Sequence, residues 1–566
     1  MSPLARARGH ALTLFACWLS AIYSGQLHAA LPSLTGITPF AANPGSSTPV
    51  KFAGKLDGMT RHVWCDDSAI VFSLPDASGN ATVTVAPEAQ PGLHLVRFVN
   101  SEGASQPVRF SIGLLPLLDE KEPNDDVSGA QDISKLPAWI QGKLDKPGDV
   151  DHFALYLKKG SPLLLRMDGY SLGSPVDLIL HVLDAKGVKV ATYSDGRNLD
   201  PQGVFTPPDD GRYILQIAGF AHPPAADVNF TGSAVCNYQI ALSTGPAVDR
   251  VFPAAVSSTG KGSVEVRGVG VAPKTRVEIA PASMVGDREI VDVLPKGAIA
   301  SIAVLRTAYA IATPVHASED QPASVTVPCV VGGYFEKPAA VAAYKIVLKK
   351  GERMAARFWA RSLGLDAEGE LVVKGPTGEQ VAANPNPSDI FSEPSVVWTA
   401  AVDGDYTLLV RDLFGRGGER YEFVVEIAPP TPSFSVEVAD GKPLRVETGK
   451  TQVIKTKVVF ANGWKEPLVL RVNGLPDGVF APEVTVPEKG GDVDITLKCA
   501  SNAPSGTALA RIAAWTKTSP PRFVVASYSL RNELKRGDTS SDFAKDIWVT
   551  VTPPGAPVPQ DPAKKK

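Results

Sequence analysis

Apolar and polar residues alternate with a period of two in stretch after stretch of this chain. Ala81-Thr-Val-Thr-Val85, Tyr213-Ile-Leu-Gln-Ile217 and Tyr406-Thr-Leu-Leu-Val410 each send alternate side chains to opposite faces, as an extended strand requires. Between such runs, turn dipeptides recur at Asp210-Gly211, Asp403-Gly404, Asn462-Gly463 and Asp477-Gly478; glycine there accepts positive φ at little cost. Beyond residue 30 no stretch carries a sustained 3.6-residue apolar stripe. The pattern predicts an all-β chain of tandem β-sandwich modules.

The strand pattern is also duplicated. Trp139-Ile-Gln-Gly-Lys-Leu-Asp-Lys-Pro-Gly-Asp-Val-Asp-His-Phe153, followed by Leu157-Lys-Lys-Gly160, returns as Val330-Val-Gly-Gly-Tyr-Phe-Glu-Lys-Pro-Ala-Ala-Val-Ala-Ala-Tyr344, followed by Leu348-Lys-Lys-Gly351. Gly142, Lys146, Pro147, Val150, Leu157 and Gly160 pair with Gly333, Lys337, Pro338, Val341, Leu348 and Gly351 at one offset of 191, whereas Asp149 and Asp151 become Ala340 and Ala342. A second duplication, at an offset of 214, relates Ile37-Thr-Pro39 and Val50-Lys-Phe-Ala-Gly54 to Val251-Phe-Pro253 and Val264-Glu-Val-Arg-Gly268. The order is a short module, a longer module, both again, then a fifth unit. Repeats of this size are whole domains, so a beaded array is expected rather than a solenoid.

Pro39, Gly54 and Ala86-Pro-Glu-Ala-Gln-Pro-Gly-Leu-His94 give the first short module a layout that resembles the immunoglobulin-like IPT/TIG family. In the first long module, Glu120-Lys-Glu-Pro-Asn-Asp125, Gly148-Asp-Val-Asp-His-Phe153, Pro175-Val-Asp-Leu-Ile-Leu180, Leu183-Asp-Ala-Lys-Gly187 and Asp210-Gly-Arg-Tyr213 follow the order of the bacterial pre-peptidase C-terminal (PPC) domain. That resemblance implies a small jelly-roll-like sandwich that often accompanies secreted peptidases. Asn473-Gly-Leu-Pro-Asp-Gly-Val479 and Ala503-Pro-Ser-Gly506 make the fifth unit similar to bacterial Ig-like accessory domains. The expected organisation is a signal peptide (1–30), an IPT/TIG-like sandwich (31–113), a PPC-like sandwich (114–246), a second IPT/TIG-like module (247–315), a degenerate second PPC-like sandwich (316–428), an Ig-like module (429–553) and a Pro/Lys-rich tail (554–566).

Candidate chemistry concentrates in one place. Glu120, Glu122, Asn124 and Asp125 lie within six residues, and Asp149 and Asp151 follow one strand away. Hard cations take six to eight oxygens from carboxylates and carbonyls crowded on loops. In an extended stretch Glu120, Glu122 and Asn124 share one side, as Asp149 and Asp151 do on theirs. The PPC resemblance implies a structural Ca²⁺ held by Glu120, Glu122, Asn124, Asp125 and Asp149, with Asp151 beside them. Two readings stand open: a calcium site, or a solvated acidic linker stiffened by Pro123.

The N-terminus reads as an export signal: Arg6 and Arg8, an apolar run from Ala11 to Tyr23, and a small-residue site at Leu27-His28-Ala29-Ala30. Its removal takes the formal net charge from -3 to -5, since residues 1–30 hold two arginines and no acidic residue. That balance offers no concentrated basic face for nucleic acid, and no later segment predicts a membrane span. Cys65, Cys236, Cys329 and Cys499 are far apart and read as unpaired, mostly buried thiols. The histidines of the mature chain are scattered, and His152 reads as a strand-surface residue. There is no His-Glu-x-x-His, Gly-x-Ser-x-Gly or Walker loop; Arg267-Gly-Val-Gly270 reads as a strand end and turn. Trp64, Trp139, Trp359, Trp398, Trp464 and Trp515 read as sandwich core rather than sugar platforms. No catalytic or cofactor-binding residues are expected. The functional expectation is a non-catalytic binding or scaffold protein, secreted or periplasmic, whose partner is a polysaccharide or an envelope or matrix protein; the alternative is an accessory or targeting subunit of a secreted peptidase or other hydrolase.

Overall fold

A computed structural model describes residues 31–556 except 60, 198, 222–228, 260–261, 280–287, 314–316, 385–392, 440 and 531–542. The expected signal peptide therefore lies outside the described residues, as do His222, His316 and most of the terminal tail. Among the described residues the chain is built from strands, with one short 3-10 turn at Arg361–Leu363. Ten of the eleven sheets among the described residues pair into five β-sandwiches, each closed over its own apolar cluster. The fold class is all-β, as the period-two pattern predicts.

The second and fourth sandwiches have one topology. In the second, one sheet runs Leu117–Asp119, Ala138–Lys143, Asn237–Ser243, Leu163–Asp168, Gln202–Phe205, and the facing sheet runs Gln131–Asp132, Asp151–Leu157, Gly211–Ala221, Val176–Leu183, Lys189–Tyr193. The fourth repeats that order strand for strand, beginning at Ala310–Ala312 and at Ala323–Ser324. The register is shared as well: His152 faces Gln216 across one ladder, and Ala343 faces Leu409 across its counterpart.

The turn ahead of the acidic pair survives in both copies at different cost. Asp149 N–H donates to the Lys146 carbonyl at 3.1 Å, and Ala340 N–H to the Lys337 carbonyl at 3.1 Å. The residue that makes the turn has φ +83° at Gly148 but φ +60° at Ala339, where a Cβ crowds the left-handed backbone. Ala339→Gly is expected to stabilise the fourth sandwich by roughly 0.5–1 kcal/mol, relieving that crowding against the extra entropy of an unfolded glycine. Thermal unfolding of the full chain checks this; an unchanged or lowered transition would refute it.

The modules do not form an open string of beads. Ala41, Leu115, Trp139, Leu164, Ala247, Val269 and Ile299 make one apolar cluster shared by the first three sandwiches. Buried Glu422 of the fourth accepts from Arg250 (3.2 Å) and Arg267 (2.8 Å) of the third. The fifth sandwich folds back onto the first. Arg97, fully buried, reaches Asp546 Oδ2 at 2.7 Å and donates to Tyr528 Oη at 2.6 Å, while Trp548 packs edge-on against Trp64 at 5.5 Å. The beaded expectation fails here because apolar strand ends and buried ion pairs, not flexible linkers, join the units.

Candidate metal centre

The site is made where the leader of the second sandwich crosses two of its strands. Leu117–Asp119 pairs in parallel with Ala138–Lys143, and Glu120 N–H continues the ladder to the Gln141 carbonyl at 3.0 Å. This pins Glu120 beside Gly142. A Cβ at Gly142 would stand 2.4 Å from Tyr238 Oη and 2.9 Å from Glu120 Oε2, so only glycine allows so close an approach. Glu120 Oε1 accepts from Tyr238 Oη (2.8 Å) and Asn124 Nδ2 (3.2 Å), and its Oε2 accepts from Lys143 N–H (2.8 Å).

The leader then turns inward. Asn124 is fully buried, and its carbonyl accepts from His152 N–H (3.0 Å) and from His152 Nδ1 (3.1 Å). His152 Nε2 in turn lies 3.0 Å from the Gln216 amide, so the ring carries its proton on Nδ1 and accepts at Nε2. His152 is buried rather than on the strand surface. Both of its nitrogens have partners, which is what makes burial tolerable, and through them it holds the backbone of Asn124 in place.

Four acceptor atoms in this region are buried without a hydrogen bond: Asn124 Oδ1, both oxygens of Asp151, and Asp149 Oδ1, which has only Lys146 Nζ at 3.7 Å. Asp149 Oδ2 accepts from Asp145 N–H at 2.6 Å. Burial, reinforced by Glu120, pushes Asp151 up to about 10. Burial likewise pushes Asp149 up to about 6 and raises Glu122. Asp125 goes the other way: hydrogen bonds from Lys146 Nζ (3.1 and 3.2 Å) hold it below its ordinary value.

Carboxylate oxygens of Glu120, Glu122 and Asp151 lie within 4.8 Å of one another, and so do those of Glu122, Asp145 and Asp149. Ligand oxygens around a cation with bonds of about 2.3–2.6 Å stand at up to twice that separation. The unpaired groups are all acceptors, which a metal ion satisfies and an apolar filling does not. Of the six residues singled out from the sequence, Glu120, Glu122, Asn124, Asp149 and Asp151 come together, whereas Asp125 is exposed and pairs with Lys146. Asp145 was not anticipated, although Asp145-Lys-Pro-Gly-Asp149 brackets a turn and could have signalled it. Tyr238 and Gln216 lie some 90 and 70 residues from the Asp149–Asp151 pair by numbering, with nothing local to mark them.

The fourth sandwich supplies the contrast. Ala343 N–H donates to the Ala317 carbonyl at 3.2 Å, the bond that His152 makes to Asn124. The polar groups around it are replaced: Ala317 stands for Asn124, Ala340 for Asp149, Ala342 for Asp151, Ala343 for His152, Leu409 for Gln216 and Phe423 for Tyr238, whereas the position of Asp145 keeps an acid, Glu336. The buried acceptors and the groups that hold them disappear together.

Elsewhere the thiols are unpaired, with Cys236, Cys329 and Cys499 buried and Cys65 half-buried. Trp139, Trp359, Trp398 and Trp464 are buried, whereas Trp64 and Trp515 are half-buried. Arg267 lies near the end of the strand Gly262–Val269, as expected. No helix among the described residues is long and apolar enough to cross a membrane.

No family model matches the chain. A probable subtilase-type serine protease of Deinococcus radiodurans is 32% identical over 153 residues, which cover 26% of this chain and 18% of the relative; the chain thus spans less than a fifth of that protein. Among solved structures, domains 1–6 of the surface layer protein SbsC align with 94% of this chain and 55% of their own at 11% identity, with a TM-score of 0.15. The SGBP-B protein of a Bacteroides ovatus mixed-linkage glucan utilization locus, in complex with a heptasaccharide, aligns with 53% of this chain and 65% of its own at 11% identity, with a TM-score of 0.14. At those scores the superpositions carry no weight.

Proposed function

We propose that this chain is an exported, non-catalytic scaffold of the bacterial cell envelope whose second sandwich, PPC-like, is stabilised by one calcium ion. The observation that carries the metal is the set of buried, donorless oxygens on Asn124, Asp149 and Asp151, beside Glu120 and Glu122. The calcium would satisfy those oxygens and tie the leader to the sandwich. Glu120, Glu122, Asn124, Asp149 and Asp151 would hold it, with Asp145 adjacent and Asp125 outside, balancing Lys146. The role is mechanical: the leader is also the connection from the first sandwich, so fixing it fixes the angle between the two. The close-packed modules support a rigid frame that presents loops to a polysaccharide or an envelope protein, since function on reused folds resides in such loops.

A second reading is an accessory subunit of a secreted peptidase, favoured by the partial likeness to a subtilase-type protease. One experiment separates the two. The purified full chain is passed over an array of glycans, matrix proteins and secreted subtilases, with calcium and with chelator. Glycan or matrix binding that weakens in chelator is expected. Binding to a subtilase alone would replace the scaffold reading with the accessory one, and turnover abolished by a single polar substitution would overturn both.

A further inference from the structure

A different donor set lies on the first sandwich. Cys65 ends the strand His62–Cys65, which pairs antiparallel with Gly92–Asn100 in the register Cys65 to Val96. Asp66 N–H extends that ladder to the Leu95 carbonyl at 3.1 Å, placing its side chain against His94. Cys65 Sγ stands 3.8 Å from Asp66 Oδ1, and His94 Nδ1 stands 3.1 Å from the same oxygen. One sulfur, one nitrogen and one oxygen thus lie within 4.8 Å of each other.

The spacing suits a small tetrahedral ion. Zinc bonds of about 2.0–2.1 Å to nitrogen or oxygen and about 2.3 Å to sulfur put neighbouring ligand atoms roughly 3.3–3.6 Å apart. The two separations, 3.8 and 3.1 Å, fall on either side of that range, each by a few tenths of an ångström. The histidine is already set for the task. Its Nε2 lies 2.8 Å from the Gln90 carbonyl, which can only accept, so Nε2 carries a proton. A ligating histidine characteristically gives its second N–H to such a carbonyl, which leaves the other lone pair for the metal. Here Nδ1 faces the Asp66 carboxylate at 3.1 Å, an ion pair when the ring is protonated and two opposed lone pairs when it is not. Two lone pairs so placed repel unless a positive charge, a proton or a metal ion, lies between them.

The surroundings hold the site in place, although burial and the Asp66 and Asp67 carboxylates raise the Cys65 thiol, so an arriving metal ion must displace its proton. Asp67 is occupied elsewhere, accepting from Ala69 N–H (2.8 Å) and Gln90 N–H (3.3 Å), and so steadies the loop that offers the Gln90 carbonyl. His94 is buried, whereas the Asp66 side chain is 35% exposed. Asp66 also forms part of the wall of a cavity of about 380 Å³ between modules, together with Gly92, Arg166 and Ser301. A fourth coordination position would therefore have access to water.

We infer that Cys65, Asp66 and His94 bind one divalent transition-metal ion of the zinc class, with the fourth position left to solvent or an incoming ligand. A mixed sulfur, nitrogen and oxygen set selects such an ion over calcium, which prefers oxygen alone. The site is thus distinct in chemistry and place from the oxygen cluster of the second sandwich, and neither depends on the other.

The test is titration of chelator-stripped full-length protein with Co²⁺, followed by displacement with Zn²⁺. Wild type is expected to take up one equivalent with a sulfur-to-cobalt charge-transfer band in the near ultraviolet, abolished by Zn²⁺ and untouched by Ca²⁺. Cys65→Ser is expected to lose the band, and His94→Gln to weaken binding by at least the roughly hundredfold that loss of a supporting residue can cost, both with wild-type far-ultraviolet circular dichroism. If either variant misfolds, wild type alone decides the matter, because Zn²⁺ must then slow the reaction of one thiol with an aromatic disulfide reagent. A wild-type protein with no charge-transfer band, or a band that persists in a folded Cys65→Ser protein, would overturn the assignment and leave a proton as the only bridge.

Discussion

In chelator, the Asp151→Asn protein is expected to melt above wild type; in saturating calcium it is expected to melt below it. The crossover follows from the two states of one buried carboxyl. Without metal, neither Asp151 oxygen has a donor and Glu120 stands beside it. Raised to about 10, the Asp151 carboxyl must take up a proton on folding at neutral pH; asparagine is neutral in both states and still offers Glu120 a donor, a gain of about 1–3 kcal/mol, the usual cost of a buried unsatisfied polar group. With calcium the carboxylate becomes a ligand, and wild type gains about 2.7 kcal/mol at a hundredfold excess over Kd, roughly 10 °C for a unit of this size. The variant forgoes most of that gain.

The pH dependence has a defined sign. Asp151 in the folded chain is raised from 3.8 to about 10, so folding favours its protonated form. Its favourable contribution is fully present below pH 3.8 and is lost as pH rises toward 10. Asp149 adds the same sign between 3.8 and about 6. In chelator, wild type should therefore lose stability relative to Asp151→Asn as pH climbs from 4 to 8, and calcium should abolish that trend. Differential scanning calorimetry over this range checks it; parallel curves for the two proteins in both conditions would remove the calcium site.

The other large effect is expected at the closure of the fifth sandwich on the first. Arg97→Met should cost about 3–5 kcal/mol, because it leaves Asp546 buried beside Tyr528 without its cation. Arg97 also donates to the Ser105 carbonyl at 2.7 Å, so its loss strips an acceptor within its own sandwich too. The paired variant Arg97→Met with Asp546→Leu should recover much of the loss, since two apolar side chains of similar volume need no desolvated charge. The single variant should also show a larger radius of gyration by solution X-ray scattering, as the fifth sandwich swings free. A compact single variant with unchanged melting would mean that Trp548 packed on Trp64 and Arg445 bound to Glu102 hold the contact without Arg97.

The sequence was informative wherever physics is local. Alternation along Tyr213–Ile217 marked a strand because burial on one face demands period two. The duplications were legible because equivalent turns kept Lys146-Pro147 and Lys337-Pro338 in register. The acidic leader and the pair Asp149 and Asp151 stood out because ligand oxygens on loops come in short runs. What stayed hidden depends on pairing across distance. Tyr238 reaches Glu120 only because the strand Asn237–Ser243 lies beside Ala138–Lys143. His152 could not be read as buried without knowing that Gln216 lies opposite it. Cys65-Asp66 and His94 look unrelated in a string of letters, since the strands Ile70–Phe72 and Asn80–Val85 lie between them. The closure by Arg97 and Asp546 is the extreme case: 449 positions apart, an ordinary strand arginine and an ordinary aspartate gave no signal.

That closure decides how the molecule would carry a load. A Cβ placed on Gly103 would lie 2.6 Å from Leu31 Cδ2 and 3.7 Å from Thr550 Oγ1, so both ends of the described chain emerge from one corner. Tension applied through those ends would peel the first and last sandwiches apart, while the middle three remain slack until that seam fails. The Arg97 seam would act as a mechanical fuse, and once it opened the remaining units would lengthen the tether without unfolding.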